Sequence, residues 1–320
     1  MNLNKPVIKV KFVDFWPEFD LPNFMFYQLL LEKYNVLISD KPELLFYSVY
    51  GNNHAKYNCT KIFFTAENVR PDFRSCDFAF TFDLIADERN YRLPLYAFYA
   101  DINCLVNREK NIDETVKQKR KFCCFIVSNP VSKIRNDFFK ELSELKHVDS
   151  GGSLYNNVGG LVEDKRAFIK DYKFVIAFEN TSYPGYVTEK ILEPFLENCI
   201  PIYWGNPLIN QDFNSKSFIN CHDFASFDDV MKHVLEIDAD DEKYMQYLNE
   251  PVFKNDELTE FVKKDNIVKR LDEIVIFYST RTKRIKKYQK LRPLYCFINL
   301  QFKKLKNRFR IIFNSMNVSH

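Results

Sequence analysis

Residues 173–205 read KFVIAFENTSYPGYVTEKILEPFLENCIPIYWG. The apolar runs at 174–178 and 200–204 have the length and composition of buried strands. Between them the spacing predicts a helix over 187–197 that opens with Tyr186, Glu189 and Lys190. Positions three and four apart are neighbours on a helix, so these three side chains would share a face. A helix N-terminus carries unpaired N–H groups and the positive end of the dipole, an arrangement that suits phosphate. A strand, a polar loop and a charged first turn therefore converge where an anionic ligand would bind. Pro194 interrupts the pattern, because proline removes a hydrogen bond and clashes with the carbonyl four residues back, at Lys190. Either the helix kinks behind this point or it begins later.

The same alternation extends outward. Further strands are expected at 7–12, 44–49, 62–65, 78–82 and 122–127, and helices at 23–33, 134–145, 163–171, 227–235 and 256–278. Short apolar strands separated by helices indicate an α/β protein with parallel sheets covered on both faces. The polar run 107–121 reads as a linker between two doubly wound domains. The expected organisation is a first Rossmann-like domain over 1–115, a second over 116–279 and a tail over 280–320.

Composition narrows the chemistry. The 320 residues are 46% hydrophobic and 16% aromatic, which argues for a packed interior and against disorder. There are only seven glycines, and no GxGxxG or Walker sequence to cradle a phosphate. The eight cysteines show no CxxC and no metal-ligand spacing, and Cys123 and Cys199 lie in apolar runs as buried thiols would. Asp238-Ala239-Asp240 imitates a DxD metal motif but sits in a polar stretch far from the other signals, and two aspartates alone make a poor metal site.

Net charge is +3 but unevenly divided: residues 281–320 hold twelve Lys or Arg and no acid, leaving 34 basic against 43 acidic residues before them. In the tail, Phe302, Leu305, Phe309, Ile312 and Phe313 fall on one helical face, with Lys303, Lys304, Lys306, Arg308 and Arg310 mostly elsewhere. Such a basic amphipathic helix suits the anionic inner face of a cytoplasmic membrane, or else the acidic body of the chain. Nucleic acid is not expected, since no recognition module accompanies the basic residues. No signal peptide or membrane span is apparent, so a cytoplasmic protein, peripheral on the inner membrane, is the expectation.

Three motif groups carry a resemblance. KFVIAFEN at 173–180, GYVTEK at 185–190 and IPIYWG at 200–205 form the first. Phe64-Thr65-Ala66-Glu67-Asn68, followed by Asp77-Phe78-Ala79 and Phe82-Asp83, forms the second. FCCFIVSNPVSKIR at 122–135, with Ser150-Gly151-Gly152, forms the third. In this order and spacing the chain resembles the α-1,3/4-fucosyltransferases. The resemblance implies a GT-B fold, two Rossmann-like domains with a cleft between them. It implies inverting transfer of L-fucose from GDP-β-L-fucose to an N-acetylglucosamine hydroxyl of an oligosaccharide acceptor, with no metal or cofactor. Glu67 matches the position of the general base. Arg135 and Lys190 match residues that hold the departing diphosphate. Glu189 matches the carboxylate that takes the ribose hydroxyls, and Asn129, Asn180 and Tyr186 match residues lining the nucleotide. Glu179 is a rival carboxylate to Glu67. Alternatives are a different linkage or acceptor, or a glycan-binding protein on the same scaffold.

Overall fold

The computed structural model describes residues 5–281. The chain begins with β1 (Val7–Val13), α1 (Met25–Lys33), β2 (Asn35–Ile38), β3 (Leu44–Tyr47), β4 (Thr60–Phe64), β5 (Phe78–Thr81) and β6 (Asn90–Arg92). There follow α2 (Tyr96–Tyr99), α3 (Ile112–Gln118), β7 (Lys121–Phe125), α4 (Lys133–Leu145), β8 (Val148–Ser150), α5 (Lys165–Ile169) and β9 (Tyr172–Phe178). The last elements are α6 (Glu189–Leu196), β10 (Ile200–Trp204), β11 (Ile219–Asn220), α7 (Phe227–Asp238), α8 (Asp241–Asn249) and α9 (Lys264–Arg281).

The strands form two sheets, ordered β2-β1-β3-β4-β5-β6 and β11-β10-β9-β7-β8. The pairings from β2 through β5 and throughout the second sheet are parallel. These are the two Rossmann-like sets of a GT-B fold. All seven strands expected from apolar runs are present. The four that carry no such run are β2, β6, β8 and β11, which are the four sheet edges. The reason is physical. An interior parallel strand is largely covered on both faces and is rich in apolar residues, most fully in β3, whose LLFY is buried at every position. An edge strand is short and half exposed, so its sequence carries no such requirement.

The described residues divide into two compact units. One comprises 5–81, 86–91 and 264–281, and the other 82–85 and 92–263. Phenylalanines fill the first core: Phe26 packs on Phe80 with ring centroids 4.7 Å apart, on Phe46 at 5.5 Å and on Phe64 at 5.5 Å. In the second, Phe125, Phe138, Phe178, Ile176, Ile202 and Val230 are buried in one cluster. Helix α9 was expected in the second domain but packs in the first unit, where Lys264 pairs with Glu32 at 2.6 Å and Tyr34 donates to Asp272 at 3.0 Å. The basic amphipathic tail expected over 280–320 lies outside the described residues save for its first two. Among the described residues no helix is long and apolar enough to cross a membrane.

The run expected as a linker, 107–121, contains α3, packs Ile112 and Val116 against the second core, and is anchored as well by two lysine ammonium groups. Lys110 donates to the carbonyls of Leu248 and Glu250, both at 2.7 Å. Lys119, 4% exposed, donates to the carbonyls of Lys170 and Glu197, the latter at 2.6 Å, and reaches Cys199 Sγ at 3.1 Å. It thereby satisfies carbonyls just past the C-termini of α5 and α6, where helices leave acceptors unpaired. Polar composition misread this segment because its burial depends also on hydrogen bonding.

A Lys119→Met substitution keeps most of the volume and strands those carbonyls. We expect a loss of about 2–3 kcal/mol in unfolding free energy by urea titration. A loss below about 0.5 kcal/mol would contradict this anchoring role.

Candidate active site

In the second sheet the chain leaves β7 to build β8 on one side, then crosses back to place β9 on the other. Strand order reverses between β7 and β9, and the crevice beyond their carboxyl ends is where open α/β sheets bind ligands. Asn129 follows β7 and Asn180 follows β9. Arg135, in the first turn of α4, joins them: Nη2 donates to the Asn129 carbonyl at 2.7 Å and Nη1 to Asn180 Oδ1 at 2.7 Å. The guanidinium is only 1% exposed, and burial lowers its pKa. This differs from the open fork expected for gripping a diphosphate. Both terminal nitrogens are engaged inward, while Nε is buried without a partner. In the structure Arg135 shapes the crevice wall, and since each terminal nitrogen carries two hydrogens, these bonds leave it donors to spare.

Beside Asn180 stands Glu179, fully buried at the end of β9. Its carboxylate accepts the Thr188 N–H at 2.7 Å and the Thr188 hydroxyl at 2.8–2.9 Å. It also pairs with Lys190 Nζ at 3.3 Å. Burial pushes the Glu179 carboxyl up against the pull of Lys190. A carboxylate so enclosed faces no solvent in this structure, whereas Glu67 is exposed. Its role is structural, because Thr188 is the N-cap of α6, accepting from the Lys190 N–H.

That cap moves the helix start. Helix α6 begins at Glu189, so Tyr186 lies in the preceding loop and does not share a helical face with Glu189 and Lys190. Tyr186 is 3% exposed, with its ring 4.9 Å from that of Phe82. Pro194 sits inside α6, and the helix ends two residues later with Asn198 at φ 54°. The Cys199 N–H donates to the Pro194 carbonyl at 2.8 Å and the Asn198 N–H to Phe195 at 3.2 Å, a Schellman closure with asparagine in the usual glycine place. The proline is thus accommodated in a short helix that starts late.

Lys190 and Glu189 are both about one-fifth exposed, and Lys190 bridges Glu179 and Glu189 at 3.3 Å each. Burial works against the Lys190 cation, but the two carboxylates outweigh it and its pKa is raised. Burial likewise works against the Glu189 anion, but Lys190 and its own N–H hold it below the usual carboxylate range. Glu193, three residues on, does not pair with Lys190; it accepts from Tyr99 at 2.7 Å and pairs with Lys165. A fixed cation and a partly exposed carboxylate thus stand together at a helix N-terminus.

Sequence reasoning missed the braces. A Cβ on Gly205 would come within 2.4 Å of Glu179 Cγ, so glycine is required there. Asn206 Oδ1 accepts the Gly185 N–H at 2.7 Å and fixes the loop carrying Tyr186. Gly185 adopts φ +85°, a conformation that favours glycine. The DxD imitation also resolves. Asp238 pairs with Lys146 and Lys173, and Asp240 caps α8 by accepting from Glu242 and Lys243. Among the described residues no group of three or more His, Cys, Asp or Glu is placed to hold a metal ion.

In the first unit Glu67 is exposed three residues beyond β4. Its backbone N–H donates to Thr65 Oγ1 at 2.9 Å, and its Oε1 accepts from the Tyr50 hydroxyl at 2.9 Å. The neighbouring rim is tied down by Asp14, a buried residue at φ 60° just past β1. Asp14 accepts the N–H groups of Asn53 and His54 at 2.8 Å each, the Asn53 amide at 3.0 Å, and contacts His54 Nδ1 at 2.8 Å. Burial pushes its carboxyl up, but the His54 and Asn53 hydrogen bonds prevail and its pKa is lowered.

Two family models match the chain, one in each half. Residues 10–99 match the family model of the alpha-(1,3)-fucosyltransferase FucT N-terminal domain, and residues 116–292 match that of glycosyltransferase family 10 (fucosyltransferase) C-term. The chain is 32% identical over 287 residues to the alpha-(1,3)-fucosyltransferase FucT of Helicobacter pylori, covering 77% of this chain and 60% of that protein. It is 31% identical over 139 residues to the mouse (Mus musculus) 4-galactosyl-N-acetylglucosaminide 3-alpha-L-fucosyltransferase 9, covering 42% of this chain and 38% of that one. The chain therefore spans less than two-thirds of the length of these relatives. A crystal structure of an alpha1,3-fucosyltransferase with GDP-fucose superposes with a TM-score of 0.73 at 29% identity, covering 86% of this chain and 92% of that one.

Because the folded-state pKa of Asp14 is depressed, its stabilising contribution is present above the unfolded carboxylate value of about 3.9 and is lost as pH falls through and below it. We expect Asp14→Asn to be less stable at neutral pH and to lose less stability than the parent between about pH 5 and pH 3. Denaturation curves at several pH values measure this, and parallel acid slopes would contradict it.

Proposed function

The chain belongs to glycosyltransferase family 10, the fucosyltransferases, and on that premise we propose that it transfers L-fucose from GDP-β-L-fucose to the 3-hydroxyl of N-acetylglucosamine in a lactosamine-type glycan, with inversion. The observation that carries this reading is the helix α6 N-terminus, where Lys190 and Glu189 are partly exposed and Lys190 is held by a fully buried Glu179. In the reaction the acceptor O–H loses its proton to Glu67 as its oxygen bonds to fucose C1. The bond from C1 to the phosphate oxygen breaks, and GDP leaves with that electron pair.

Lys190 counters the charge that develops on the diphosphate, and such fixed charges stabilise most where they need no reorganisation. Glu189 accepts from ribose hydroxyls, and Asn129, Asn180 and Tyr186 shape the nucleotide pocket, with Arg135 setting the Asn129 and Asn180 positions. Glu67 suits the base role because it is exposed and its Oε2 accepts no hydrogen bond among the described residues. The names of the relatives support the donor and the 3-linkage; the lactosamine acceptor and a Lewis-type product are part of the proposal. The basic composition of residues 281–320 supports a cytoplasmic enzyme resting on the inner face of an anionic membrane.

Turnover of GDP-fucose with N-acetyllactosamine should fall at least about a thousandfold in Glu67→Gln, while GDP affinity stays within about twofold. Lys190→Ala should weaken GDP binding at least about tenfold. Glu67→Gln that retains turnover would identify another base, and unchanged GDP affinity in Lys190→Ala would remove that residue from the donor site.

A further inference from the structure

We propose that Trp16 and Tyr50 form a platform for a neutral pyranose of the acceptor, and that Tyr50 also orients Glu67 for proton abstraction. This rests on the reading of Glu67 as the base.

The first sheet reverses its order between β1 and β3, since β1 is followed by β2 on one side and β3 lies on the other. The crevice at their carboxyl ends is this unit's topological ligand position. Three side chains emerge there in step. Trp16 lies three residues past β1, Tyr50 three past β3 and Glu67 three past β4, on three successive neighbours in the sheet. The Trp16 and Tyr50 rings meet edge to face, with centroids 6.4 Å apart at 77°. The Tyr50 hydroxyl then donates to Glu67 Oε1 at 2.9 Å. Indole, phenol and carboxylate therefore make one continuous row.

The row is built to hold its shape. Trp16 leans on Phe15 at 5.6 Å and on Phe19 at 5.2 Å. The Tyr50 N–H donates to the Asp14 carbonyl at 3.0 Å. Asp14 in turn clamps Asn53 and His54 from a left-handed backbone conformation. Gly51 is required beside it, because a Cβ there would lie 2.3 Å from Asp14 Oδ1. Yet Tyr50 remains 48% exposed. A large aromatic ring fixed by backbone bonds and left open to solvent is poorly explained as packing. Beside a carboxylate it suits a ligand with an apolar face of C–H bonds and a hydroxyl at its edge, which is the chemistry of a pyranose.

Tyr50 also decides which Glu67 oxygen reacts. By occupying Oε1 it leaves Oε2 to take the acceptor proton. Burial and the Glu67 charge push the Tyr50 hydroxyl up to about 12, so it stays a donor throughout the neutral range.

The two roles separate by substitution. Tyr50→Phe keeps the ring and loses the hydroxyl, so kcat should fall at least tenfold with acceptor KM within about threefold. Tyr50→Leu and Trp16→Leu should raise acceptor KM at least tenfold while donor KM stays within twofold. A merely structural role would not divide the parameters this way. Unmoved acceptor KM in both leucine variants, with the parent active, would overturn the platform; unmoved kcat in Tyr50→Phe would overturn the orienting role. A second readout does not depend on turnover. The chain has two tryptophans, Trp16 and Trp204, so Trp204→Phe leaves Trp16 as the reporter. Titration of that variant with N-acetyllactosamine should give a saturable change in emission, and a flat titration to about 50 mM, a weak-binding limit for small ligands, overturns the platform. A parent that consumes no GDP-fucose, while Trp16 emission in the Trp204→Phe variant saturates, would instead refute the transferase reading and leave the sugar platform standing.

Discussion

A carboxylate sealed from solvent governs the second unit. Removing the charge of Glu179 from water costs several kcal/mol unless it is paired and hydrogen-bonded, and every partner it uses belongs to one short segment, Thr188–Lys190. From that requirement much else follows. Thr188 must be the N-cap, so α6 starts at Glu189. Lys190 must turn back toward β9, which holds its cation at the mouth of the crevice. Position 205 must be glycine, because any side chain would strike Glu179. The signature residues of this stretch are thus largely those that keep one buried anion satisfied, and Glu189 and Lys190, proposed to meet the donor, are carried by that arrangement.

The first unit solves a similar problem with different residues. Asp14 is its buried anion, satisfied by the backbone of the Asn53–Lys56 turn and by His54. It ties the loop after β1 to the loop after β3, as Arg135 ties the loops after β7 and β9. In both sheets a charged side chain stands at the point where strand order reverses and consumes hydrogen bonds that mobile loops would otherwise lack. Rigid rims of this kind limit the reorganisation that catalysis would demand.

What could be read from the sequence follows burial. The seven interior strands announce themselves as apolar runs, and the edges do not, since Asn35–Ile38 and Ile219–Asn220 are too short or too exposed to need them. The late start of α6 was signalled by Thr188 before Glu189, the pattern of a cap and an acidic first turn. By contrast, whether Arg135 opens to solvent depends on where Asn129 and Asn180 fall, which no local pattern states. Tyr50 belongs to no motif; it becomes visible only when strand order places it beside Glu67. Lys119 was hidden because lysine in a polar stretch reads as surface. The roles given to Glu67, Glu189 and Lys190 came from resemblance, and the geometry supplies the physical reason they can be held in place.

The central claim is that Glu179 acts only by fixing α6 and Lys190 for a nucleoside diphosphate. Calorimetric titration of GDP into the intact protein and into Glu179→Gln tests it most directly, since the amide keeps the shape but cannot pair with Lys190. GDP should bind the parent and should bind the variant at least about tenfold more weakly, the loss of one charge-assisted contact, with the fold retained by circular dichroism. Equal affinity in a folded variant, or no GDP binding by the parent, would contradict the account.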